Sequence, residues 1–271
     1  MKQILLSVLF LFFSCSNDEN DLSEPKVFTG DVHLLNQNQI DNFGSNNYTK
    51  ITGTLRINPV LHISTLTPLS TLEEVGSLRL EYIQQGLSSL EGLNNLMMIN
   101  NDLVIQSCWS ISDISALNNL ESIGNNLFIV GNHSLNSIDY FNDITELNGS
   151  LSINFNESLT SLVGLNNLNT IGGFLTIRSN YLLENMNGLN SLQSVGDYTL
   201  FEWNLLMTSF DGLENLTSID GDLIIDTNSE LSDFCALSAL FQNNGLNGSY
   251  TISSNGFIPS QQDMIDGNCN Q

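Results

Sequence analysis

A repeat of 24 residues, counted from one apolar anchor position to the next, constrains the fold of this 271-residue chain more than any other feature. Successive anchors are separated by 23, 25, 24, 24, 24, 24, 24 and 27 residues. So regular a period is typical of supersecondary units that stack along one axis, and it predicts a solenoid. The anchors are Leu55, Leu78, Leu103, Leu127, Leu151, Leu175, Thr199, Leu223 and Tyr250.

Each unit combines two spacings. Counted from the anchor Leu151, the inward positions fall at +2, +5, +8, +11, +14, +17 and +20. The first step is the period of a β-strand, whereas the later steps of three residues fit neither a strand nor an α-helix. We therefore predict a short strand followed by a tight coil, with strands stacked in parallel about 4.8 Å apart. About eight such turns would form a mainly β, right-handed parallel solenoid that is capped at both ends.

Position +5 of the repeat carries an amide side chain in almost every unit. Where a strand ends, backbone groups lose their sheet partners, and an inward amide can supply the missing donor and acceptor. We therefore predict a buried structural ladder, in which the single cysteine is a structural thiol rather than a reactive one. The ladder positions are Cys108, Asn132, Asn156, Asn180, Asn204, Asn228 and Asn255.

Glycines precede several predicted strands, and we interpret them as positions that require a positive φ or a close turn. The pair Gly172 and Gly173 lacks the strand, spacing and helix of a dinucleotide-binding fingerprint. The glycines are Gly76, Gly149, Gly172, Gly173, Gly196 and Gly221.

Atypical sequence flanks the repeats, as caps over a solenoid core require. Residues 27–53 are assigned to an N-terminal cap with a strand and a short helix, residues 54–232 to the repeats, and residues 233–271 to a C-terminal cap. Within the last segment, Cys235 and Cys269 can pair as a disulfide in an oxidising compartment, and the alternative is two free thiols.

Residues 1–14 are interpreted as a signal peptide, because a basic start and an apolar run precede a small residue and Cys15. The cysteine directly after the apolar run resembles the cleavage site of bacterial lipoproteins, which implies a lipoprotein signal peptide. We expect Cys15 to carry the lipid, and an ordinary secretory signal is the alternative. The acidic, polar residues 15–26 predict a flexible tether. The apolar run is shorter than the roughly twenty residues that span a bilayer, so we expect anchoring by lipid alone. The acidic residues 16–21 resemble the surface-export tag of lipoproteins in Bacteroidetes, and this resemblance implies a location at the outer membrane or cell surface.

The formal net charge of −23, with only six Lys and Arg residues, argues against nucleic acid as a partner, because phosphate binding needs clustered basic side chains. It equally disfavours docking on anionic lipid. We interpret the excess of acids as a solvated surface rather than as calcium sites, and we predict no metal or cofactor.

Three features carry a family resemblance: the entry segment from Phe43 to Ile57, the recurrent motif Gly-Leu-x-Asn-Leu-x-x-Ile-Gly, and the closing segment from Cys235 to Cys269. The chain resembles the receptor L-domain-like, leucine-rich surface lipoproteins of Bacteroidetes such as marine flavobacteria. The resemblance covers nearly everything after the tether, and it implies a fold that binds or organises rather than catalyses. The chain departs from the animal receptors by lacking a cysteine-rich neighbour, a transmembrane helix and a kinase, so hormone reception is not implied.

Outward positions of the predicted strands, at +1 and +4, include apolar and aromatic residues that suggest a contact surface. Stacking of the aromatic rings, including Tyr181, on sugars is one interpretation, and covered or isolated surface residues are the other. The candidate ligand face consists of Phe128, Phe155, Arg178, Leu200, Glu202 and Trp203.

Three classes of function follow from this pattern. The first is a binding or adhesion module for an extracellular protein or glycan, and the second is a passive coat protein of the cell surface. The third, a polysaccharide-active β-helix enzyme, is disfavoured because the basic residues are scattered along the repeats: Arg56, Arg79, Arg178, His62 and His133.

Overall fold

The computed structural model describes residues 25–271, so the signal peptide, Cys15 and residues 15–24 of the tether lie outside the described residues. The described chain is mainly β, with seventeen strands in two parallel sheets and three short α-helices. Between Pro25 and Gln271, no helix has the length and apolar character needed to cross a membrane.

The strands are β1 Val27–Phe28, β2 Val32–Leu34, β3 Lys50–Ile57, β4 Glu74–Glu81, β5 Met98–Ile99, β6 Leu103–Gln106, β7 Ser122–Ile123, β8 Leu127–Val130, β9 Glu146–Leu147, β10 Leu151–Asn154, β11 Thr170–Ile171, β12 Leu175–Arg178, β13 Ser194–Val195, β14 Thr199–Glu202, β15 Ser218–Ile219, β16 Leu223–Asp226 and β17 Tyr250–Ser253. The α-helices are α1 Gln37–Gly44, α2 Ser238–Gln242 and α3 Gln261–Asp266. Four 3₁₀ turns cover Thr67–Leu69, Ser115–Leu117, Val163–Leu165 and Cys235–Leu237.

The larger sheet contains thirteen strands, and its main path runs β1-β3-β4-β6-β8-β10-β12-β14-β16-β17. Each strand pairs with its equivalent in the next unit, so that Leu127, Leu151 and Leu175 lie side by side. This pairing places every anchor on the same face of the sheet, because alternate side chains of a strand point the same way. The long parallel sheet agrees with the predicted β solenoid.

The core is continuous along the sheet and is built from the predicted inward positions. In the unit that begins at Leu151, every one of these positions is completely buried. Each leucine buried in this way stabilises the fold by about 1.5–3 kcal/mol relative to an exposed one. The positions are Ile153, Asn156, Leu159, Leu162, Leu165, Leu168 and Ile171.

A second parallel sheet lies within the segment that the repeat pattern predicts as coil. Its strand order is β15-β13-β11-β9, and each strand has two residues at positions +19 and +20 of the repeat. Thr170–Ile171 pairs with Glu146–Leu147 on one side and with Ser194–Val195 on the other. The prediction of coil was wrong at these positions, because a two-residue strand is too short to produce an alternating pattern in sequence.

The +5 side chains form a continuous hydrogen-bonded column inside the bend that follows each strand. The side-chain oxygen of Asn180 accepts from the backbone N–H of Asn156 at 3.2 Å, and its Nδ2 donates to the carbonyl of Ile153 at 2.8 Å. The backbone N–H of Asn180 donates in turn to Asn204 at 3.1 Å. The same arrangement runs from Cys108 through Asn255, and the asparagines from Asn132 to Asn228 are fully buried.

Cys108 occupies this column with a thiol in place of the amide. Its backbone N–H donates to Asn132, and its Sγ lies 3.4 Å from the carbonyl oxygen of Leu80. Burial raises the pKa of the Cys108 thiol to about 12. The side chain is therefore neutral and shielded, which agrees with a structural role.

A left-handed bend recurs directly after the strands, at position +4. Its φ angles lie between 54° and 70° at Tyr82, Ser107, Gly131, Phe155, Ser179, Trp203, Thr227 and Ser254. The glycines before the strands do not have positive φ, so that part of their interpretation was wrong. Gly196 instead allows the backbones of two neighbouring units to lie close together, because a Cβ at this position would clash with the carbonyl oxygen of Gly172.

Both ends of the repeat region carry irregular elements. At the front, Asn36 caps α1 by accepting from the N–H of Gln39 at 3.0 Å, and the rings of Phe28, Phe43 and Tyr48 pack with centroids 5.2–5.5 Å apart. At the back, the predicted Cys235–Cys269 disulfide is confirmed. By closing 34 residues it contributes roughly 3–4 kcal/mol on the chain-entropy account.

Candidate ligand-binding surface

The outer face of the large sheet is less open at position +1 than the sequence pattern suggests. Val104 is only 2% exposed, and Ser152 and Thr176 are also buried, although their side chains point away from the core. Phe128 and Leu200 in the same column are half-buried. The +1 positions therefore form the floor of the face. Longer side chains border it in several units, such as Phe174 and Tyr198 at position −1 and Arg178 and Glu202 at position +3.

A row of stacked aromatic rings crosses this face. The Phe128 and Phe174 rings have centroids 6.1 Å apart, and the Phe174 and Tyr198 rings lie 5.1 Å apart, both nearly parallel. Ser152 on β10 and Ser150 directly before β10 belong to the unit between Phe128 and Phe174, and each is 7% exposed, so small side chains there leave room for the rings to meet. Desolvation, followed by the charge of Asp197, raises the pKa of Tyr198.

Four of the predicted face residues come together at the end of β10, β12 and β14. The guanidinium carbon of Arg178 lies 5.4 Å from the centre of the Phe155 ring. Its Nε lies 2.8 Å from Oε2 of Glu202, in an ion pair without hydrogen-bond geometry. Trp203 follows Glu202 directly and is 42% exposed. Phe128 belongs instead to the stacked aromatic row.

A ridge of exposed apolar side chains follows the left-handed bend along the repeats, at positions +4, +6 and +7. Of the sixteen large apolar side chains that are exposed in the described residues, eight belong to this ridge. We call it the bend ridge, and its members are Tyr82, Trp109, Phe155, Tyr181, Leu182, Trp203, Leu205 and Leu206. The left-handed backbone turns the +4 side chains outward, while the +5 asparagines point into the core.

His133 lies beside the bend ridge, between an aromatic ring and a carboxylate. Its ring centroid is 5.9 Å from that of Trp109, and its Nδ1 lies 3.4 Å from a carboxylate oxygen of Glu157. The three residues occupy position +6 in successive units, so one column of the ridge carries adjoining aromatic and charged groups.

Two of the arginines that the sequence analysis describes as scattered lie next to each other in the sheet. Arg56 on β3 and Arg79 on β4 are directly paired in the sheet register. Nε and Nη2 of Arg56 lie 2.7 and 2.6 Å from Oε2 of Glu81, and those of Arg79 lie 2.9 and 2.7 Å from Oε1. Glu81 is 3% exposed, so a buried carboxylate holds both guanidinium groups. The description as scattered was wrong for this pair.

Two cavities of similar size lie on the surface of the described chain. One, of about 370 Å³, lies at the bend after β3 and β4 and is lined by Pro59, Val60, Leu61, His62, Tyr82, Gln84 and Gln85. The other, of about 380 Å³, lies beside the coil and is lined by Glu73, Asn95, Met97, Asn118, Asn119, Glu121 and Asp143. Across residues 25–271, no group of three or more His, Cys, Asp or Glu side chains could hold a metal ion.

Several residues of this surface are missing from the sequence prediction. Phe174 and Tyr198 immediately precede their anchors, and Trp109, Leu205 and Leu206 follow the ladder position. Both groups could have been found by tabulating every column of the repeat, because each column recurs at a fixed offset. Beyond the outward positions within the strand and the first residue of the bend, the prediction considered only Tyr181.

No protein-family model and no curated protein matches this chain.

Proposed function

We propose that the protein is a lipid-anchored binding or adhesion module of the outer membrane or cell surface, which recognises an extracellular protein or glycan. The observation that carries the proposal is the bend ridge. Exposed aromatic side chains that follow one another along a rigid scaffold are typical of recognition surfaces. The adjoining Arg178–Glu202 pair adds polar groups that can orient a ligand.

The proposal includes a finer description of the fold. We describe the repeat region as a right-handed solenoid of about eight turns, each of about 24 residues, of the receptor L-domain type. The repeated pairing of residues one unit apart, such as Leu151 with Leu175, supports it. A right-handed path is the usual one for parallel strands joined by crossover connections.

A rigid backbone supports binding for an energetic reason. The +4 residues are held between the sheet pairing before them and the buried asparagine after them, as Phe155 is held between Asn154 and Asn156. A ligand that docks on such a residue loses little free energy to ordering of the protein. Stacking on a flat sugar face or insertion into an apolar protein pocket would both use this property.

A catalytic role is not part of the proposal. The carboxyl groups of Glu74, Asp226 and Asp263 have pKa values lowered mainly by side-chain hydrogen bonds, from Lys50, Ser253 and Ser260 respectively. Such shifts favour a fixed negative charge, whereas a general acid in glycoside hydrolysis needs a raised pKa. A passive coat protein is the alternative, and it would use length and stability without a specific ligand.

The test is binding of the chain from residue 16 onward to an array of glycans and extracellular matrix proteins. The variant Phe155→Asn/Trp203→Asn removes two rings of the bend ridge, and asparagine tolerates the left-handed backbone at both positions. The control Ile258→Asn/Ile265→Asn removes two exposed apolar side chains from the C-terminal cap. Saturable binding that is lost only in the ridge variant is expected. Equal binding by the ridge variant would overturn the assigned surface, and concentration-dependent self-association without any ligand would favour the coat.

A further inference from the structure

The N-terminal end of the large sheet carries a row of basic side chains in a chain that is otherwise acidic. His33, Arg56 and Arg79 occupy directly paired positions on β2, β3 and β4. The described residues contain five Lys and Arg side chains, and two of them meet at Glu81. The two arginines and Glu81 together carry one net positive charge, against −23 for the whole chain.

Glu81 fixes both guanidinium groups but does not use all of their donors. Each arginine approaches one carboxylate oxygen with Nε and Nη2. The Nη1 groups have no hydrogen-bond partner among residues 25–271, and the side chains of Arg56 and Arg79 are 41% and 36% exposed. Two oriented guanidinium groups with free N–H donors form an arrangement that matches the oxygens of a carboxylate or sulfate group.

The surface beside this pair has the features of a sugar site. Tyr82 follows Glu81 directly, is 49% exposed, and has a left-handed φ of 58° that turns its ring outward. Tyr82 borders the cavity of about 370 Å³, which is also lined by His62, Gln84 and Gln85. An aromatic face for stacking and side-chain amides for hydroxyl groups are the groups that bind a sugar ring.

We propose that Arg56, Arg79 and Tyr82 form a subsite for an acidic sugar residue of an extracellular saccharide. The oxyanion of the sugar, a uronate carboxylate or a sulfate ester, accepts from the arginines, and the ring packs on Tyr82. The inference rests on the proposed binding function and names the ligand chemistry of this end of the surface. The charge of the whole chain repels a long polyanion, so we expect binding of short acidic saccharides at ionic strengths that screen this repulsion.

The experiment is a calorimetric titration of the purified full chain with three galactose-based trimers: the neutral trimer, the trimer of galacturonic acid and a sulfated trimer. The two acidic arms distinguish carboxylate from sulfate. We expect at least one acidic trimer to bind and the neutral trimer to bind about tenfold more weakly or not at all, because a charge-assisted hydrogen bond is lost. Equal binding of the neutral trimer would overturn the role of the arginines.

The main variant is Arg56→Lys/Arg79→Lys, which keeps both charges beside Glu81 and so protects the fold while removing the second donor edge. We expect this variant to bind the acidic trimer at least about tenfold more weakly. Lys50→Gln is the control, since it removes a charge from the same sheet at the separate Lys50–Glu74 pair. If Lys50→Gln weakens binding as much as the arginine variant does, the loss of binding reflects general electrostatics, and the assignment of the subsite is wrong.

Tyr82→Asn tests the sugar half of the proposal and keeps a residue that tolerates the left-handed backbone. This variant should bind the acidic trimer more weakly, and its binding of inorganic sulfate should be unchanged. Inorganic sulfate or a triglutamate peptide that binds as tightly as the acidic trimer would overturn the assignment to a saccharide. If none of these probes binds while the array identifies a ligand lost in the Phe155→Asn/Trp203→Asn variant, this inference fails and the proposed function stands.

Discussion

The guanidinium carbon of Arg178 lies 5.4 Å from the centre of the Phe155 ring, and the two residues belong to neighbouring units of the repeat. The same guanidinium is paired with Glu202 in the following unit at 2.8 Å. Three successive units are thus linked on the outside by a chain of side-chain contacts. This chain runs parallel to the asparagine ladder on the inside.

The first prediction concerns the strength of the outer link. A double-mutant cycle between Phe155→Leu and Arg178→Gln should give a coupling free energy of about 0.5–1 kcal/mol, the range for an exposed cation–π contact. Leucine keeps the same backbone strain at residue 155 as phenylalanine, so the strain cancels in the cycle. Urea unfolding measures the four variants. The same cycle between Phe155→Leu and Arg79→Gln, on distant units, should give no coupling.

The second prediction concerns the asparagine ladder. Asn180→Leu should lower the free energy of unfolding by about 1–3 kcal/mol, because the N–H of Asn156 and the carbonyl of Ile153 lose their buried partner. Asn187→Leu is the matched control, since Asn187 is exposed. Denaturant unfolding followed by circular dichroism makes the comparison. Equal stability of the two variants would contradict a ladder that holds the units together.

The third prediction concerns Cys108. Burial raises the pKa of its thiol to about 12, whereas the pKa of an exposed thiol is about 8.5. The stabilisation that comes from keeping the thiol neutral is therefore complete below the lower value, and it is lost as pH rises through the higher one. In the chain from residue 16 onward at pH 9, a thiol-specific reagent should label Cys108 only after denaturation. Labelling of the native protein at the rate of the unfolded one would show that the thiol is accessible.

The fourth prediction separates two roles of glycine. Gly131→Ala should cost about 1 kcal/mol, because its φ of 70° is left-handed, and Gly131→Asn should cost less. Gly196→Ala should cost clearly more than either, since its Cβ would lie 2.2 Å from a backbone oxygen that cannot move independently. Thermal unfolding ranks the three variants. A larger loss for Gly131→Ala than for Gly196→Ala would reverse the assignment.

The core could be predicted from sequence because its positions recur with the same chemistry, as Leu151, Ile153 and Asn156 do in the following units. The second sheet could not, since a strand as short as Thr170–Ile171 contains no period. The arginine pair was hidden for a different reason. The sequence shows Arg56 and Arg79 as neighbours only when the position of each is counted from the anchor of its own unit. Glu81, which binds both side chains, lies at a different position of the repeat. Contacts between columns depend on rotamers, which a repeat alignment does not contain.

The recurring left-handed bend has a consequence for how such a chain can change. Residue types as different as tyrosine, serine, glycine and tryptophan occupy this position with nearly the same backbone conformation. The residue type at the bend is therefore independent of the packing of the core. A substitution there changes the side chain that the protein exposes and leaves the stacking of the units intact. Duplication or loss of one whole unit would add or remove one bend residue from the series that is exposed along the repeats. Natural variants or a designed series could therefore acquire new ligands by exchanging single bend residues, without a new fold.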